Sequence, residues 1–144
     1  MDTEQESSDG RESENGRQEL GQAGENLAAE MLSKSGWKIV ERNYRPAVGE
    51  IDIICEGVGQ KLLFVEVRSS STGYLVSSSE TVDARKQGQV IRAARWYIQE
   101  RERFNWTIRF DVVAVRFADE ASTMEWIEDA FRPKPSGQSS RFTW

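Results

Sequence analysis

A carboxylate and a guanidinium interrupt an otherwise apolar run, KLLFVEVR at positions 61–68, near the middle of the chain. Alternate residues of a β-strand face opposite sides, which places Glu66 and Arg68 together on one face. The apolar residues predict a strand but do not account for the two charges. The preceding run, EIDIICE at 50–56, is followed by a glycine-containing turn, and the two runs together predict a hairpin. In a hairpin symmetric about Gly59, Asp52 lies opposite Glu66, with the Cβ atoms about 4.5–5.5 Å apart.

The predicted pair Asp52 and Glu66 suits a hard metal ion. Two carboxylates at that distance repel each other, which raises one pKa unless a cation lies between them. Mg²⁺ is often bound by one or two protein carboxylates together with substrate phosphate. Arg68 would then hold the phosphate. The spacing fits equally a ladder of cross-strand ion pairs on a solvated face, which Glu50 would share, and a slip of one residue in register would separate the pair.

The elements that must position these residues follow from apolar periodicity and turn residues. Apolar residues at helical spacing predict helices over about 18–35 and 82–102. β-Branched and apolar runs predict strands over 37–44, 50–56, 61–68, 108–115 and 124–127. A loop rich in Ser, Thr and Gly over 69–81 precedes the second helix. The order αβββαββ favours an α/β fold with a mixed sheet flanked by helices.

A chain of 144 residues fits one domain. We predict a disordered acidic tail over 1–17, a folded domain over 18–132 and a loose C-terminal tail over 133–144, because a polar segment cannot offset the entropy of its ordering. The formal net charge of −5 comes from the first 19 residues, which have seven acids and two arginines, and residues 20–144 are neutral on balance. Nucleic-acid binding would therefore depend on a local basic patch.

The chain has no histidine, which excludes Ser-His-Asp and Cys-His catalysis and histidine metal sites. The single cysteine, Cys55, excludes an intramolecular disulfide and a zinc site within one chain, and we expect it to be a buried strand residue. No apolar run is long enough to predict a membrane span, and the acidic N-terminus is unlike a signal peptide. We expect a cytoplasmic protein whose chemistry depends on carboxylates, Lys, Arg and a hard cation.

Two motifs, Gly49-Glu50-Ile51-Asp52 and Phe64-Val65-Glu66-Val67-Arg68, resemble the core motif of the YraN-like family of uncharacterised bacterial proteins. That family is related to the PD-(D/E)xK nucleases, which include archaeal Holliday-junction resolvases. The resemblance covers about residues 19 to 131. Further matches follow in chain order: Gly21–Glu25 with Ala28 and Leu32, Gly36, Arg42–Arg45, Val82, Lys86, Gln87, Ala94, Arg109–Val113 and Ala130–Phe131.

The resemblance implies a restriction-endonuclease-like (tRNA-endonuclease-like) three-layer sandwich that hydrolyses phosphodiester bonds with Mg²⁺ or Mn²⁺. Asp52 and Glu66 would be metal ligands, with the backbone carbonyl of Val67 as a third ligand. Glu25 would correspond to the accessory helix carboxylate; an ordinary boundary glutamate is the alternative. Arg68 occupies the position where these nucleases most often have lysine. Because a guanidinium cannot act as a general base, Arg68 would stabilise the phosphate, and the metal would have to activate the water.

Related nucleases use a Lys or Gln of the second helix in the active site, which makes Lys86 and Gln87 candidates for catalysis. The alternative is a solvated lysine and a glutamine bonded to nearby backbone. Asp111 is expected either to be structural or to support a residue of the site from behind. Basic residues expected to contact substrate are Arg42, Arg45, Arg85 and Arg92. For the two on the second helix, an ordinary soluble surface is the alternative.

Three functional hypotheses follow. The first is a nucleic-acid-binding, Mg²⁺-dependent endonuclease acting on DNA, with branched DNA among the candidate substrates. The second is a non-catalytic nucleic-acid-binding relative that lost activity through the change from lysine to Arg68. The third is a homodimeric interaction module that uses a sheet edge or exposed tryptophans. DNA and RNA, duplex and junction all remain open as substrates.

Overall fold

The structure is a computed structural model that describes residues 3–71, 82–119 and 121–134, with side chains described from Gln18 onward within these ranges. Most of the predicted loop 69–81 and the C-terminal tail from 135 lie outside the described residues. In the described part, the predicted order αβββαββ is confirmed. The elements are α1 (Thr3–Lys34), β1 (Lys38–Tyr44), β2 (Ile51–Gly57), β3 (Lys61–Ser70), α2 (Ala84–Arg101), β4 (Thr107–Phe117) and β5 (Ser122–Phe131).

The five strands form one mixed sheet in the order β1-β2-β3-β4-β5. Neighbouring strands are antiparallel except β3 and β4, which are parallel and joined through α2. Ile53 pairs with Val65 and Gly57 with Lys61, so the β2–β3 hairpin is symmetric about Gly59, as predicted. The chain is therefore an α/β protein, as the sequence predicts.

Each face of the sheet is covered by one helix, because alternate strand residues supply an apolar core to each side. The core on the α2 side includes Phe64, Val90, Tyr97 and Phe110. The core on the α1 side includes Ala28, Leu32, Ile53, Cys55 and Val65. Cys55 is buried and not in a disulfide, as predicted. The layers are thus helix, sheet and helix.

The helix α1 lies close to β3 at Gly24. A Cβ atom at position 24 would lie 1.9 Å from Ser69 Oγ and 3.1 Å from Ser69 Cβ. A side chain here would require Ser69 to turn its hydroxyl away and to give by a few tenths of an ångström, since non-bonded carbon atoms prefer about 3.5–4.0 Å. Gly24 therefore sets the distance between α1 and the end of β3.

Two elements are longer than the sequence predicts. The helix α1 begins at Thr3 rather than at about residue 18, so the backbone of the segment predicted as a disordered tail is helical from there. Lengthening an existing helix adds a hydrogen bond for each residue and needs no core, and Glu, Gln and Arg favour helix. The strand β5 spans ten residues rather than four. It is an edge strand with mostly exposed residues, so apolar periodicity marks only its middle.

None of the described helices combines the length and the apolar character that crossing a membrane requires.

Candidate functional site

Three elements converge at one edge of the sheet. Because β2 and β3 are antiparallel, the start of β2 lies beside the end of β3. The connection from β3 to parallel β4 begins at that same edge, so the first turn of α2 also lies there. This brings together Asp52 of β2, Glu66 of β3 and Lys86 of α2.

Asp52 and Glu66 face each other in the structure, as the hairpin symmetry predicts. Ile53 of β2 pairs with Val65 of β3, and one further residue in each strand gives this pair. Asp52 Oδ2 accepts a hydrogen bond of 2.8 Å from the backbone N–H of Val67. Glu66 is only 3 % exposed, and its Oε2 is buried without a hydrogen-bond partner. A buried carboxylate oxygen that lacks a hydrogen-bond donor is costly, and a proton shared with Asp52 or a bound cation would remove that cost.

The electrostatics of the pair follow from burial and proximity. Burial, then the charge of Asp52, raises the pKa of Glu66 to about 8. Burial also raises the pKa of Asp52, against the opposing effect of the Val67 N–H. In the absence of a metal, the Glu66 carboxyl is therefore protonated at neutral pH and shares its proton with Asp52. A divalent cation would replace that proton.

Lys86 lies next to the acidic pair. Its Nζ is 3.5 Å from Glu66 Oε1 and also contacts Glu50 Oε1. Asp83 caps α2, accepting a 2.8 Å hydrogen bond from the Lys86 backbone N–H. The cap fixes the first turn of the helix and hence the direction of the lysine. Arg45 Nε lies 3.7 Å from Glu50 Oε2, so both oxygens of Glu50 face cations.

The residues present fit a hard metal ion held by two carboxylates. Among the described residues, no group of three or more His, Cys, Asp and Glu could hold a metal. Two carboxylates suffice for Mg²⁺ when water, phosphate or backbone carbonyls complete its coordination. The N–H and C=O of a strand residue point to the same neighbouring strand. The Val67 carbonyl therefore faces the same side as Asp52, where it is suited to be the third ligand.

Glu25 of α1 is hydrogen-bonded to two residues of β1. Its Oε1 accepts hydrogen bonds from Arg42 Nε at 3.1 Å and from Asn43 Nδ2 at 3.0 Å. Arg42 also donates to Asn26 Oδ1 at 2.7 Å. The structure thus pairs two predicted site residues, Glu25 and Arg42, with each other. Asn43 was missed by the sequence analysis; its neighbour Arg42 was the only local signal.

An open cleft of about 710 Å³ lies beside Asp52. Arg68 and Arg45 are exposed at its border. The remaining lining residues come from α1, β1 and β3: Gln18, Leu20, Gly21, Gln22, Glu25, Asn43, Val67 and Ser69. Of the acidic pair, Asp52 lines the cleft, and the two guanidinium groups near it suit a substrate that carries phosphate.

A second open cleft of about 450 Å³ adjoins the first, and Arg45 borders both. Arg92 Nε donates to the Val48 carbonyl at 3.1 Å, which fixes the guanidinium beside the loop before β2. A Cβ atom at Gly49 would lie 2.0 Å from the Gln89 carbonyl oxygen, so only glycine allows the loop to pack on α2. Arg45 thus connects the two clefts, and Arg92 lines the second one.

Gln87 and Arg85 are not brought to the acidic pair by any described contact. Gln87 Nε2 donates to the Val82 carbonyl at 3.0 Å, which is the alternative stated for it above. Arg85 is exposed near the start of α2. Asp111 is fully buried and accepts hydrogen bonds from Arg109, from Trp126 Nε1 and from the Asp129 N–H, so it is structural, as expected.

Sequence reasoning did not assign the roles of Glu50 and Asp83. Glu50 was noted only as a member of an ion-pair ladder, yet it fixes the Lys86 ammonium. Asp83, an aspartate just before an apolar-periodic segment, carried the ordinary signal of a helix cap. The contact between Glu50 and Lys86 joins residues 36 positions apart, and no local pattern predicts it.

The fold and the site define an α/β protein with a mixed sheet between two helices and an acidic pair at one sheet edge. The chain belongs to the family described as "Uncharacterised protein family UPF0102", whose family model matches residues 24–115. This confirms the family resemblance drawn from the sequence motifs.

Three members of the family illustrate the similarity. A UPF0102 protein of Clostridium perfringens is 38 % identical over 116 residues, which covers 78 % of this chain and 93 % of the relative. One from Anaeromyxobacter dehalogenans is 42 % identical, and the match covers 81 % of this chain and 86 % of the relative. One from Syntrophotalea carbinolica is 43 % identical, covering 80 % and 93 %. The similarity therefore extends over nearly the whole length of these relatives.

Proposed function

We propose that the protein is a Mg²⁺- or Mn²⁺-dependent endonuclease with a restriction-endonuclease-like fold. The observation that carries the proposal is the opposed pair Asp52 and Glu66, in which a buried oxygen of Glu66 has no partner. The pair lies beside a cleft bordered by Arg45 and Arg68. The sheet with a helix on each face supports the fold assignment.

The residues of the chain have distinct roles in this proposal. A bound Mg²⁺ would supply an activated water and would polarise the phosphate. Asp52 and Glu66 hold the ion, and the Val67 N–H orients Asp52 at 2.8 Å. Arg68 binds a phosphate oxygen and stabilises charge that develops in the reaction. It keeps its proton throughout, because a guanidinium is not a base.

The proposed substrate is nucleic acid, with DNA as the first candidate. Arg45 connects the two clefts, and Arg92 extends the basic border along α2. Arg42 contributes indirectly, because its guanidinium holds Glu25 and shapes the cleft. A single domain has one such site, so cutting both strands of a duplex or junction would require a homodimer or two successive events.

The test combines metal binding with cleavage. Mn²⁺ or Mg²⁺ is titrated into the wild type and the Asp52→Asn/Glu66→Gln variant by calorimetry, and both are assayed on labelled linear and four-way-junction DNA. The matched control is Glu56→Gln, a substitution on β2 at the opposite end of the strand. We expect metal binding and cleavage in the wild type and the control, and neither in the double variant. Cleavage retained by the double variant, with contaminating nuclease excluded, refutes the proposal.

A non-catalytic nucleic-acid-binding relative is the second candidate. The observation in its favour is Arg68, which cannot replace a lysine in proton transfer. This candidate predicts metal-independent binding of nucleic acid, with no cleavage in Mg²⁺, Mn²⁺ or Ca²⁺. Fluorescence anisotropy beside the cleavage assay separates the two candidates.

A further inference from the structure

The Lys86 ammonium lies between two carboxylates that come from different parts of the chain. Glu50 immediately precedes β2, and Glu66 lies within β3. Nζ contacts Glu50 Oε1 and lies 3.5 Å from Glu66 Oε1. The lysine side chain is only 18 % exposed, so water contributes little to balancing its charge. The ammonium is therefore a fixed internal cation of the site.

The two oxygens of Glu66 have different surroundings. Oε1 faces the ammonium, whereas Oε2 is buried and unpartnered. In two-metal enzymes, two cations lie about 3.5–4 Å apart, and a carboxylate between them can offer one oxygen to each. Glu66 has the arrangement of such a bridging carboxylate, with the ammonium on one side and the open ligand position on the other.

The charges of the site are consistent with one divalent cation. Asp52 and Glu66, when ionised, carry two negative charges, which match the charge of a single Mg²⁺. The third carboxylate, Glu50, already faces the cations of Lys86 and Arg45 and is not free to bind that ion.

We propose that Lys86 takes the place of a second metal ion, so that the site binds a single divalent cation and bridges it to the ammonium through Glu66. This inference rests on the proposed metal site at Asp52 and Glu66. It follows that removing the ammonium creates a second cation position between Glu50 and Glu66. Asp83 caps α2 and so fixes the direction of the Lys86 side chain. Arg45 lies next to the second carboxylate oxygen of Glu50 and helps to hold that side chain in place.

The experiment counts bound Mn²⁺ on the full chain by calorimetry and by electron paramagnetic resonance. We expect one ion for the wild type and two for Lys86→Gln, with the broadened spectrum of two coupled ions about 4 Å apart. Lys86→Arg keeps the positive charge and is expected to bind one. Lys86→Gln combined with Glu50→Gln removes a ligand of the new position and returns the count to one. Arg85→Gln, an exposed charge on the same helix, is the matched control and stays at one.

The outcomes separate this inference from the proposed function. One ion in Lys86→Gln with the wild-type spectrum overturns the inference, while the metal site itself stands. Two ions in the wild type also overturn it, and this measurement needs no substitution that could affect folding. Absence of Mn²⁺ binding in the wild type overturns the proposed function and the inference together. Circular dichroism verifies that each variant is folded.

Discussion

Replacing Glu66 by glutamine is expected to stabilise the metal-free protein, and the gain is expected to grow as the pH rises from 5 to 7. Glu66 is 3 % exposed and faces Asp52, so its charged form is disfavoured twice, by burial and by repulsion. Glutamine has nearly the same shape and cannot ionise. The substitution therefore removes the cost of the charge while keeping the packing.

The magnitude follows from the linkage between protonation and folding. The pKa of Glu66 rises from 4.5 to about 8 in the folded protein. Between these values the folded state keeps the proton that the unfolded chain releases, so stability falls as the pH rises. The loss of stability begins near pH 4.5, the pKa of Glu66 in the unfolded chain, and is complete above about pH 8, its pKa in the folded protein. From pH 5 to pH 7 the stability that is lost amounts to about 2–3 kcal/mol, or roughly 10 °C in Tm, and Glu66→Gln avoids this loss.

The assay is urea and thermal unfolding of the wild type and Glu66→Gln at several pH values between 5 and 9, with a chelator present. Glu56→Gln serves as the control, because Glu56 pairs with Arg103 away from the acidic pair. Adding Mg²⁺ is expected to stabilise the wild type and not Glu66→Gln, because the ion binds the folded state through the carboxylate that the variant lacks.

A constant difference between Glu66→Gln and the wild type across pH 5 to 7 would refute the reasoning. It would mean that Glu66 ionises as readily in the folded protein as in the unfolded chain, and thus that it does not face Asp52 in a buried site. The proposed metal site would then lose its main support.

Three further outcomes are expected. Gly49→Ala forces a Cβ atom toward the Gln89 carbonyl oxygen and should lower the free energy of unfolding by about 1–3 kcal/mol, measured in urea. Asp111→Ala leaves the hydrogen-bond donors around a fully buried carboxylate unpaired and should cost about 3–5 kcal/mol, seen as a lower Tm than for exposed substitutions. Arg45→Ala with Arg92→Ala should weaken DNA binding and lower the slope of log affinity against log salt by about 2, measured by anisotropy, while the wild-type stoichiometry of Mn²⁺ is kept.

The hairpin that carries the acidic pair could be predicted from local sequence. Two apolar runs around a short glycine-containing turn leave few registers, and the one that the structure shows is symmetric about Gly59. The opposition of Asp52 and Glu66 therefore follows from residues 50–68 alone. Helix α2 could be predicted equally well, because its apolar residues recur at helical spacing and an aspartate suited to cap it, Asp83, precedes it.

The partners of the site could not be predicted in the same way. Lys86 meets Glu50 only because the parallel connection returns α2 to the edge where β2 begins. Gln87 has an equally suitable side chain and was an equal candidate, yet the helix turns its amide toward the Val82 carbonyl. Adjacent helical residues differ by about 100° in direction, so a small change in helix orientation decides which one reaches the carboxylates.

Glycine at position 24 has a consequence for what the protein can accept. Its closeness to Ser69 fixes how near α1 lies to β3, and residues of that same helix line one wall of the cleft. The position of that wall therefore depends in part on a residue that offers no group to a ligand. A larger side chain at position 24 would press on Ser69 and change how α1 rests on the end of β3.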